Sequence, residues 1–577
     1  MKNCNKEILL IFKTHLDIGF TDYSENVLKR YLNEYIPNAI KVGNELKGTK
    51  TPFVWTLGSW LVWQALKNDE NGIVEKTIKD GILRWHALPF TTHTELMNKE
   101  LFESGISLSK KLDERFGIKT IGAKMTDVPG HTIGMVSLLK KHGVNFLHLG
   151  VNPATPLPNV PPIFKWKNGE DSIIVMYQGD YGEVAEFDDF IVYFAHTGDN
   201  LGPQTPEVIV DVYNQLAEKY PDCVIKPATI DDLAVRIQKV ENLPILEKEI
   251  GDTWIHGAGT DPQKLSRYRK LLRKLKEVDF LNFDFSDDLL CVPEHTWGMD
   301  IKTHFPFDKY YTHQEMENLE AERAKIEKSW QEQRNYVSNA EKKLGVISDY
   351  LVVEPDVSEY EEVEHLEVLD FELSWQIFDN SDYERYKDTY MRSHAGWAIW
   401  DFTKVGLHEY KGGIYIPNVV KSYKKGEELL FRLEFNEDIA NSYGLPYFFV
   451  QKKDDFVKVS WFGKKCSRLP QACWLKFKGM NENWQVEKMG QWINPCDIIG
   501  SPLICGIDSG IKNDSLIIES LDCGLVAPFG RKLLYYDFEN CKQDMYFNLY
   551  NNIWNTNFPM WYTDDAMFRF KIKKHIK

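Results

Sequence analysis

The run Ile8-Leu9-Leu10-Ile11-Phe12 and the stretch Lys13-Thr14-His15-Leu16-Asp17-Ile18-Gly19-Phe20 behind it decide the fold. A short apolar run of Leu, Ile and Phe predicts a strand buried on both faces, as in a parallel sheet. The C-terminal ends of such strands are where α/β proteins place their functional side chains. Residues two apart in extended chain point to the same side, so His15 and Asp17 can converge on one cation.

Length and charge restrict the classes of protein and partner. A chain of 577 residues is too long for one core and predicts two to four domains. The 69 Lys and Arg against 85 Asp and Glu give a net charge of −16, which argues against nucleic acid or an anionic membrane as partners. The 17 Trp and 27 Tyr mostly fill cores, although such rings also stack on sugars.

Apolar stretches and cysteine usage indicate the cellular compartment. The N-terminal apolar run is too short and too soon interrupted for a signal peptide, and we see no apolar stretch of membrane-spanning length. The nine cysteines are scattered without a Cys-x-x-Cys pair, which indicates reduced thiols. We therefore expect a cytoplasmic protein, and the sequence leaves a homo-oligomer open.

The pattern along the chain predicts a multidomain fold that combines α/β, all-α and all-β parts. Strand-like and helix-like segments alternate over residues 1–258, which predicts a parallel (β/α)-barrel-like domain. Within it, residues 162–175 predict a hairpin around an Asn-Gly turn. Two long apolar stripes at helical spacing predict a helical bundle over 259–346. Helix signals fade beyond about residue 350, and short alternating runs predict β-sandwich modules over 347–577.

Four polar clusters stand where strands or helices end. They contain the candidate residues His86, His93 and Glu95; Asp127 and His131; Asp199; and His295, Trp297 and Asp300.

Together, His15, Asp17, Asp127 and His295 offer two imidazoles and two carboxylates. Mixed nitrogen and oxygen donors in that number suit zinc or a similar divalent metal. His256, in Trp254-Ile255-His256-Gly257, competes for the fourth position. We favour His295 because it stands before the expected bundle helix.

The order of these motifs resembles glycoside hydrolase family 38, the zinc-dependent retaining α-mannosidases. The resemblance rests on His-x-Asp after the first strand, Asp127-Val128-Pro129-Gly130-His131 before a helix, the stretch Gly-Asp-Asn-Leu-Gly-Pro at 198–203, and a His after Leu289-Leu290. The hairpin at 162–175 also matches, so the resemblance covers about residues 7–345. The chain looks like a shorter, divergent branch of bacterial type.

The resemblance implies a zinc-dependent α-glycosidase that hydrolyses α-mannosides or related α-linked glycans with retention. It implies that His15, Asp17, Asp127 and His295 hold the zinc, that Asp127 is the nucleophile, and that Asp199 is the general acid and base. The family commonly shows Asp-Pro-Phe-Gly-His where this chain has Val128 and Pro129, so an aromatic sugar contact is absent there. The candidates for contacts with a carbohydrate substrate are His86, His93, Glu95, His131, His256, Trp297 and Asp300.

Two other functions fit part of the pattern. A metal-dependent carbohydrate deacetylase also uses early His and Asp ligands on parallel strands, but with a metal-bound water as nucleophile. A non-catalytic carbohydrate-binding protein would retain the fold without turnover. The presence of every expected carboxylate favours the glycosidase.

Overall fold

The computed structural model describes residues 6–281, 286–364, 370–407, 410–477, 483–500, 503–536 and 542–574. By packing, the chain forms two compact units. Unit 1 comprises residues 1–93, 99–248 and 280–296, and unit 2 comprises residues 94–98, 249–279 and 297–577. The three ranges inferred from the sequence stay a prediction about domains.

The strands of unit 1 are β1 (Glu7–His15), β2 (Trp55–Gly58), β3 (Leu83–His86), β4 (Gly122–Asp127), β5 (Phe146–Val151), β6 (Ile163–Asn168), β7 (Asp171–Gln178), β8 (Ala185–Glu186), β9 (Phe190–Asp199), β10 (Val224–Pro227) and β11 (Ile245–Leu246).

The helices of the chain are α1 (Ser24–Arg30), α2 (Ile36–Leu46), α3 (Ser59–Lys67), α4 (Ile73–Lys79), α5 (Lys99–Phe116), α6 (Gly134–Lys141), α7 (Pro206–Lys219), α8 (Ile230–Ile237), α9 (Pro262–Leu275), α10 (Ser286–Cys291), α11 (Ile301–His304), α12 (His313–Glu317), α13 (Glu320–Leu344), α14 (Asn380–Tyr390), α15 (Gly396–Phe402) and α16 (Glu437–Tyr443). A π-helical turn at Tyr31–Tyr35 joins α1 to α2. None of the described helices is long and apolar enough to cross a bilayer.

Two mostly parallel sheets form unit 1. One has the order β3-β2-β1-β9-β8, with β10 also paired to β1, and the other has the order β11-β6-β7-β5-β4. Strand β1 is buried along almost its whole length and runs parallel to β2, β9 and β10, as its apolar run predicts. The predicted hairpin is confirmed, because β6 and β7 pair antiparallel around Asn168 and Gly169. The C-terminal ends of β1, β4 and β9 carry the residues considered below.

The remaining strands are β12 (Glu361–Glu362), β13 (Phe371–Ile377), β14 (Gly413–Tyr415), β15 (Asn418–Lys425), β16 (Glu428–Glu434), β17 (Tyr447–Lys453), β18 (Phe456–Phe462), β19 (Gln471–Phe477), β20 (Gln485–Lys488), β21 (Gln491–Ile493), β22 (Cys505–Gly506), β23 (Gly510–Lys512), β24 (Leu516–Ser520), β25 (Leu525–Ala527), β26 (Tyr546–Asn551) and β27 (Ala566–Lys574).

These strands form two antiparallel sheets in unit 2, one with β15 to β18 and β27 at its centre and one built on β13, β19 and β26. Their facing sides share one apolar core in which Trp375, Trp461 and Tyr550 meet, with ring centroids 5.7–6.0 Å apart. The two predicted long helices are also present as α9 and α13, joined by an ion pair between Arg267 and Glu341. Helices α14, α15 and α16 were not predicted.

The described cysteines are all free thiols: Cys223, Cys291, Cys466, Cys473, Cys496, Cys505 and Cys523. Cys4 and Cys541 lie outside the described residues.

Gly58, the last residue of β2, tests how closely that strand approaches the backbone of the loop after β3. A Cβ at this position would lie 2.0 Å from the backbone oxygen of Pro89, which cannot rotate away. We expect Gly58→Ala to destabilise the protein by at least about 2 kcal/mol, as overpacking against backbone does. Calorimetric melting measures the loss.

Gly396→Ala is the matched control, since a Cβ there meets nothing closer than 3.7 Å and the residue opens helix α15. It should leave stability unchanged or raise it by less than about 1 kcal/mol. Equal melting temperatures for the two variants would contradict the packing described here.

Candidate functional site

Two histidines and two aspartates converge at the C-terminal ends of strands in unit 1. The Nε2 atoms of His15 and His295 lie 3.1 Å apart. Each also lies 3.0–3.5 Å from a carboxylate oxygen of Asp17 and of Asp127. All four donor atoms lie within 4.8 Å of one another, and all four residues are buried. We call these residues the ligand cluster.

The loop after β1 is held by Asn200, to which the sequence had assigned no role. The Asn200 side chain accepts a hydrogen bond from the backbone N–H of Asp17 and donates one to the backbone oxygen of the same residue, each at 3.1 Å. Its own N–H donates to the backbone oxygen of His15. Because Asn200 follows β9 directly, it ties the end of that strand to the loop that presents His15 and Asp17.

Asp127 is held by a strained turn. Its φ is +71°, and the N–H of Val128 donates to the oxygen of Thr126 at 3.0 Å, which closes a three-residue γ-turn around Asp127. A positive φ in such a turn is unfavourable for a non-glycine residue and is found mainly where the surroundings enforce it. The turn directs the Asp127 side chain into the ligand cluster instead of along the strand.

His295 lies in the loop after α10, and a neighbouring loop fixes it. Residues Thr92 and Glu294 form an antiparallel bridge, and the N–H of His93 donates to the oxygen of Pro293 at 2.8 Å. The carboxylate of Glu294 lies 2.6 Å from Nδ1 of His295. With Nδ1 occupied in this way, Nε2 is the nitrogen that faces the cluster.

A similar contact orients the second imidazole. Nδ1 of His15 lies 2.6 Å from the hydroxyl of Thr126, so Nε2 of His15 also faces inward. Histidine ligands of metals are normally oriented through the second ring nitrogen, by a carboxylate, a backbone carbonyl or a water, and the Thr126 hydroxyl takes that place beside His15. Both histidines therefore have the outer contacts expected of metal ligands.

The charges in the cluster stabilise one another. Burial alone would lower the pKa of His15, but the carboxylates of Asp17 and Asp127 outweigh burial and raise it to about 10. Burial likewise disfavours ionised Asp17, yet His15 and His295 lower its pKa to about 2. Asp127 shifts in the same direction for the same reason. The pKa of His295 is raised well above its ordinary value, chiefly by Glu294 against the effect of burial.

This donor set fits a divalent metal. Ligand atoms about 2.0–2.2 Å from a tetrahedral zinc ion lie about 3.3–3.6 Å apart, close to the separations seen here. The Oδ2 oxygen of Asp17 is buried without a hydrogen-bond partner among the described residues, which is costly unless something else binds it. His256 belongs to no such cluster in the described part of the chain.

Tyr181 joins the cluster to Asp199, and no sequence pattern had indicated it. Its hydroxyl donates to Oδ1 of Asp127 and lies 3.4 Å from Oδ1 of Asp199. One hydroxyl reaching both carboxylates places them closer together than the roughly 6.5–9.5 Å typical of inverting glycosidases. Tyr181 lies in the loop between β7 and β8, where an isolated Tyr between two glycines carries no recognisable signal.

Asp127 and Asp199 differ in their protonation although they are neighbours. Burial raises the pKa of Asp199 to about 7, and the negative charge of Asp17 adds to this effect. The pKa of Asp127 is lowered by His15 and His295. The environments thus shift the two pKa values in opposite directions: Asp127 is ionised at neutral pH, while Asp199 still retains its proton in a large fraction of molecules.

The other predicted residues of unit 1 lie outside the ligand cluster. His86 ends β3 and is buried, and burial lowers its pKa well below the ordinary value. His131 is buried, and His93 contributes the backbone contact to Pro293. Their side chains stay predicted sugar contacts.

In unit 2, two predicted substrate contacts are engaged in ion pairs. The carboxylate of Glu95 is buried 2.8 Å from Nζ of Lys488 and accepts hydrogen bonds from backbone N–H groups, one of them that of Gly506. Asp300 caps α11 and pairs with Lys302 at 2.8 Å.

The remaining two are packed against other side chains of unit 2. The His256 ring stands edge-on to Trp554, with centroids 4.2 Å apart. Nζ of Lys264 lies 3.5 Å above the Trp297 ring, which is buried.

Comparison with known proteins supports the fold at low sequence identity. Residues 258–351 match a family described as a domain of unknown function, DUF5054. No curated protein matches the sequence. A solved structure of an α-mannosidase from Enterococcus faecalis V583 is similar at a TM-score of 0.60 and 8% identity, over 99% of this chain and 87% of that chain.

A solved protein of glycosyl hydrolase family 38 from Enterococcus faecalis is similar at a TM-score of 0.56 and 9% identity, over 99% of this chain and 86% of that chain. The resemblance to family 38 therefore holds across the chain at the level of the fold: α/β sheets, helices and large antiparallel sheets in one multidomain arrangement.

The charge state of the cluster predicts proton release on metal binding. The raised pKa values of His15 and His295 favour bound protons on the metal-free cluster at pH 7, and a metal binds only the neutral ring. Zinc binding at pH 7 should therefore release one to two protons per ion, and the apparent affinity should rise with pH. Calorimetry in buffers of different ionisation enthalpy measures the number released, and a count of zero would contradict the cluster.

The contact between Glu294 and His295 predicts a second effect on metal affinity. Glu294→Gln removes the charge that orients the imidazole, and loss of such an outer contact typically weakens metal binding about 10–100-fold. Competition with a chromophoric chelator measures this change. Glu247→Gln is the control, because Glu247 is exposed and pairs only with Lys167 among the described residues. Equal zinc affinity for both variants would exclude the role given to Glu294.

Proposed function

We propose that this protein is a zinc-dependent retaining α-glycosidase that hydrolyses α-mannosides or related α-linked glycans. The observation that carries the proposal is the pair Asp127 and Asp199, two carboxyl groups whose pKa values are shifted in opposite directions, which Tyr181 bridges and of which Asp127 belongs to the buried ligand cluster. Retaining glycosidases need this combination, one carboxylate as nucleophile and one carboxylic acid as proton donor, about 5–5.5 Å apart. The shared fold with an α-mannosidase structure supports the same function.

His15, Asp17, Asp127 and His295 would hold the zinc, and another divalent metal of similar preference would fit the same donors. When bound, the ion supplies positive charge that attracts vicinal hydroxyls of the sugar and keeps Asp127 ionised. The four protein donors come from three separate stretches of the chain, so the cluster would also fix the sugar-facing ends of β1 and β4.

Asp127 acts through its Oδ1 oxygen in the first step. Oδ2 faces the histidines, while Oδ1 accepts hydrogen bonds from Tyr181 and from Asn152 and is directed away from them. Oδ1 forms a bond to the anomeric carbon as the glycosidic bond breaks. The electron pair of that bond goes to the glycosidic oxygen, which takes the proton of Asp199.

Asp199 reverses its role in the second step. Its carboxylate takes a proton from water, and the water oxygen displaces Asp127 from the anomeric carbon. Two inversions give net retention, and Asp199 returns to its protonated state. A carboxyl group with a pKa of about 7 is suited to both halves of this cycle near neutral pH.

The domain proposal retains the three sequence ranges. Residues 1–258 would form the catalytic (β/α) domain, 259–346 a helical bundle that contributes His295, and 347–577 the β-sandwich region. We retain His86, His93, Glu95, His131, His256, Trp297 and Asp300 as proposed substrate contacts. Glu95 and Asp300 have the least freedom for that role because of their ion pairs.

Substitution of the two carboxyl groups tests the mechanism. Asp127→Asn should abolish turnover of aryl α-mannosides, whereas Asp199→Asn should lower kcat/KM about 10²–10⁴-fold for substrates with poor leaving groups and much less for activated ones, because only the first step depends on the leaving group. In the parent protein, activity should fall as pH rises through about 7, because Asp199 loses its proton. This alkaline fall should disappear in Asp199→Asn with an activated substrate.

Asp211→Asn, an exposed carboxylate on α7, serves as the control and should match the parent protein. Proton NMR of the first product should show the α-anomer. Unchanged turnover in both site variants, or a β-anomer as first product, would refute the proposed mechanism.

A further inference from the structure

We propose that Lys124, His148 and Gln178 form a buried positioning chain that holds Tyr181 in place between Asp127 and Asp199. Nζ of Lys124 donates to the backbone oxygen of Tyr181 at 2.5 Å and lies 2.7 Å from Nδ1 of His148. Nε2 of His148 lies 2.7 Å from Oε1 of Gln178. The inference rests on the proposed function of that site and adds residues to it.

The direction of every hydrogen bond in the chain is determined by backbone groups. Gln178 accepts from the N–H of Glu183 through Oε1 and donates to the oxygen of Glu183 through Nε2, which fixes its amide orientation. Oε1 is therefore an acceptor, so Nε2 of His148 carries the proton. Nδ1 of His148 is then an acceptor, and Lys124 is the donor to both of its partners.

Lys124 and Gln178, the two ends of this hydrogen-bonded series, both hold one loop. Lys124 binds the oxygen of Tyr181, and Gln178 and Glu183 close the loop of residues 179–184 with two reciprocal hydrogen bonds. The loop is thus fixed at its apex and at its base by one network. A side chain whose backbone is held in this way keeps its hydroxyl in position without relying on contacts to the substrate.

Two glycines let this loop approach the strands closely. A Cβ at Gly150, on β5, would lie 2.6 Å from the oxygen of Asp180. A Cβ at Gly182 would lie 2.5 Å from Cβ of Phe194. The loop therefore packs directly on backbone and ring atoms, and the position of Tyr181 is determined by packing as well as by hydrogen bonds.

Lys124 is a costly residue for packing alone. It is 1% exposed and forms no ion pair with a described carboxylate, and its Nζ lies 4.6 Å from the centroid of the Phe194 ring. Burial lowers its pKa well below the ordinary value. A methionine would fill similar space without desolvating an amine, so a lysine at this position indicates a use for its donors.

A double-mutant cycle separates positioning from general stability. If Lys124 acts through Tyr181, Lys124→Met should lower kcat about tenfold with little change in KM when Tyr181 is present. In a Tyr181→Phe background the same substitution should change kcat less than about twofold, since coupled residues are non-additive. Equal losses in both backgrounds would overturn the proposal.

Gln178→Ala interrupts the hydrogen-bonded series at its other end and should show the same non-additivity with Tyr181→Phe. Lys404→Met is the matched control, because Lys404 is equally buried, lies in unit 2 and donates from Nζ to Sδ of Met560. It should leave kcat unchanged in either background. If Lys404→Met shows the same coupling to Tyr181→Phe, the effect is one of stability and the proposal fails.

A structural measurement keeps this test separate from that of the proposed function. Crystal structures of Lys124→Met and Gln178→Ala should show the Tyr181 hydroxyl displaced from Asp127, and Lys404→Met should show it unmoved. If no α-glycoside is cleaved by the parent protein, the proposed function fails while these structures still decide the positioning. If the Tyr181 hydroxyl is unmoved in both Lys124→Met and Gln178→Ala, the positioning proposal is overturned.

Discussion

Burial of four ionisable groups at one point is the constraint on which unit 1 depends. Removing two carboxylates and two imidazoles from water costs several kcal/mol per ion, and only close opposite charges or a bound cation offset that cost. The separations of 3.0–3.5 Å around His15 and His295 provide this attraction. The γ-turn at Asp127, the Asn200 side chain and Glu294 each hold one part of the group at the required distance.

The sequence indicated the ligand cluster because its members follow recognisable local patterns. His15 and Asp17 come directly after an apolar strand, and Asp127 precedes a Pro-Gly turn. Tyr181 and Lys124 could not be found in the same way. Their roles depend on contacts across 54 and 57 residues of chain, and a lone Tyr in a loop or Lys in a strand has no local signature. Glu95 is the opposite case. Its local sequence suggested a substrate contact, but its carboxylate pairs with Lys488, which is distant in sequence.

The same limit applied to the fold: elements with a local sequence period could be predicted, and features set by distant contacts could not. Alternating strands and helices, the Asn-Gly hairpin and the stripes of α9 and α13 all have a period that sequence reveals. Helix α16 was missed because it is short and has no buried residues. Helix α14 did carry a signal that was overlooked, since the capping residue Asp379 precedes Tyr383, Tyr386 and Tyr390 at helical spacing, and these three are buried. The assignment of residues 280–296 to unit 1 follows from packing of distant segments, which no periodicity encodes.

The distance along the chain between the cluster's histidines affects how the protein is made. His15 and His295 are separated by 280 residues. During synthesis the first two ligands leave the ribosome many seconds before the last, at roughly 5–20 residues per second. Until then the set of four donors is incomplete. If the cluster holds a metal as proposed, secure capture of the ion would be coupled to completion of unit 1, and a nascent chain interrupted before residue 295 would lack the fourth donor.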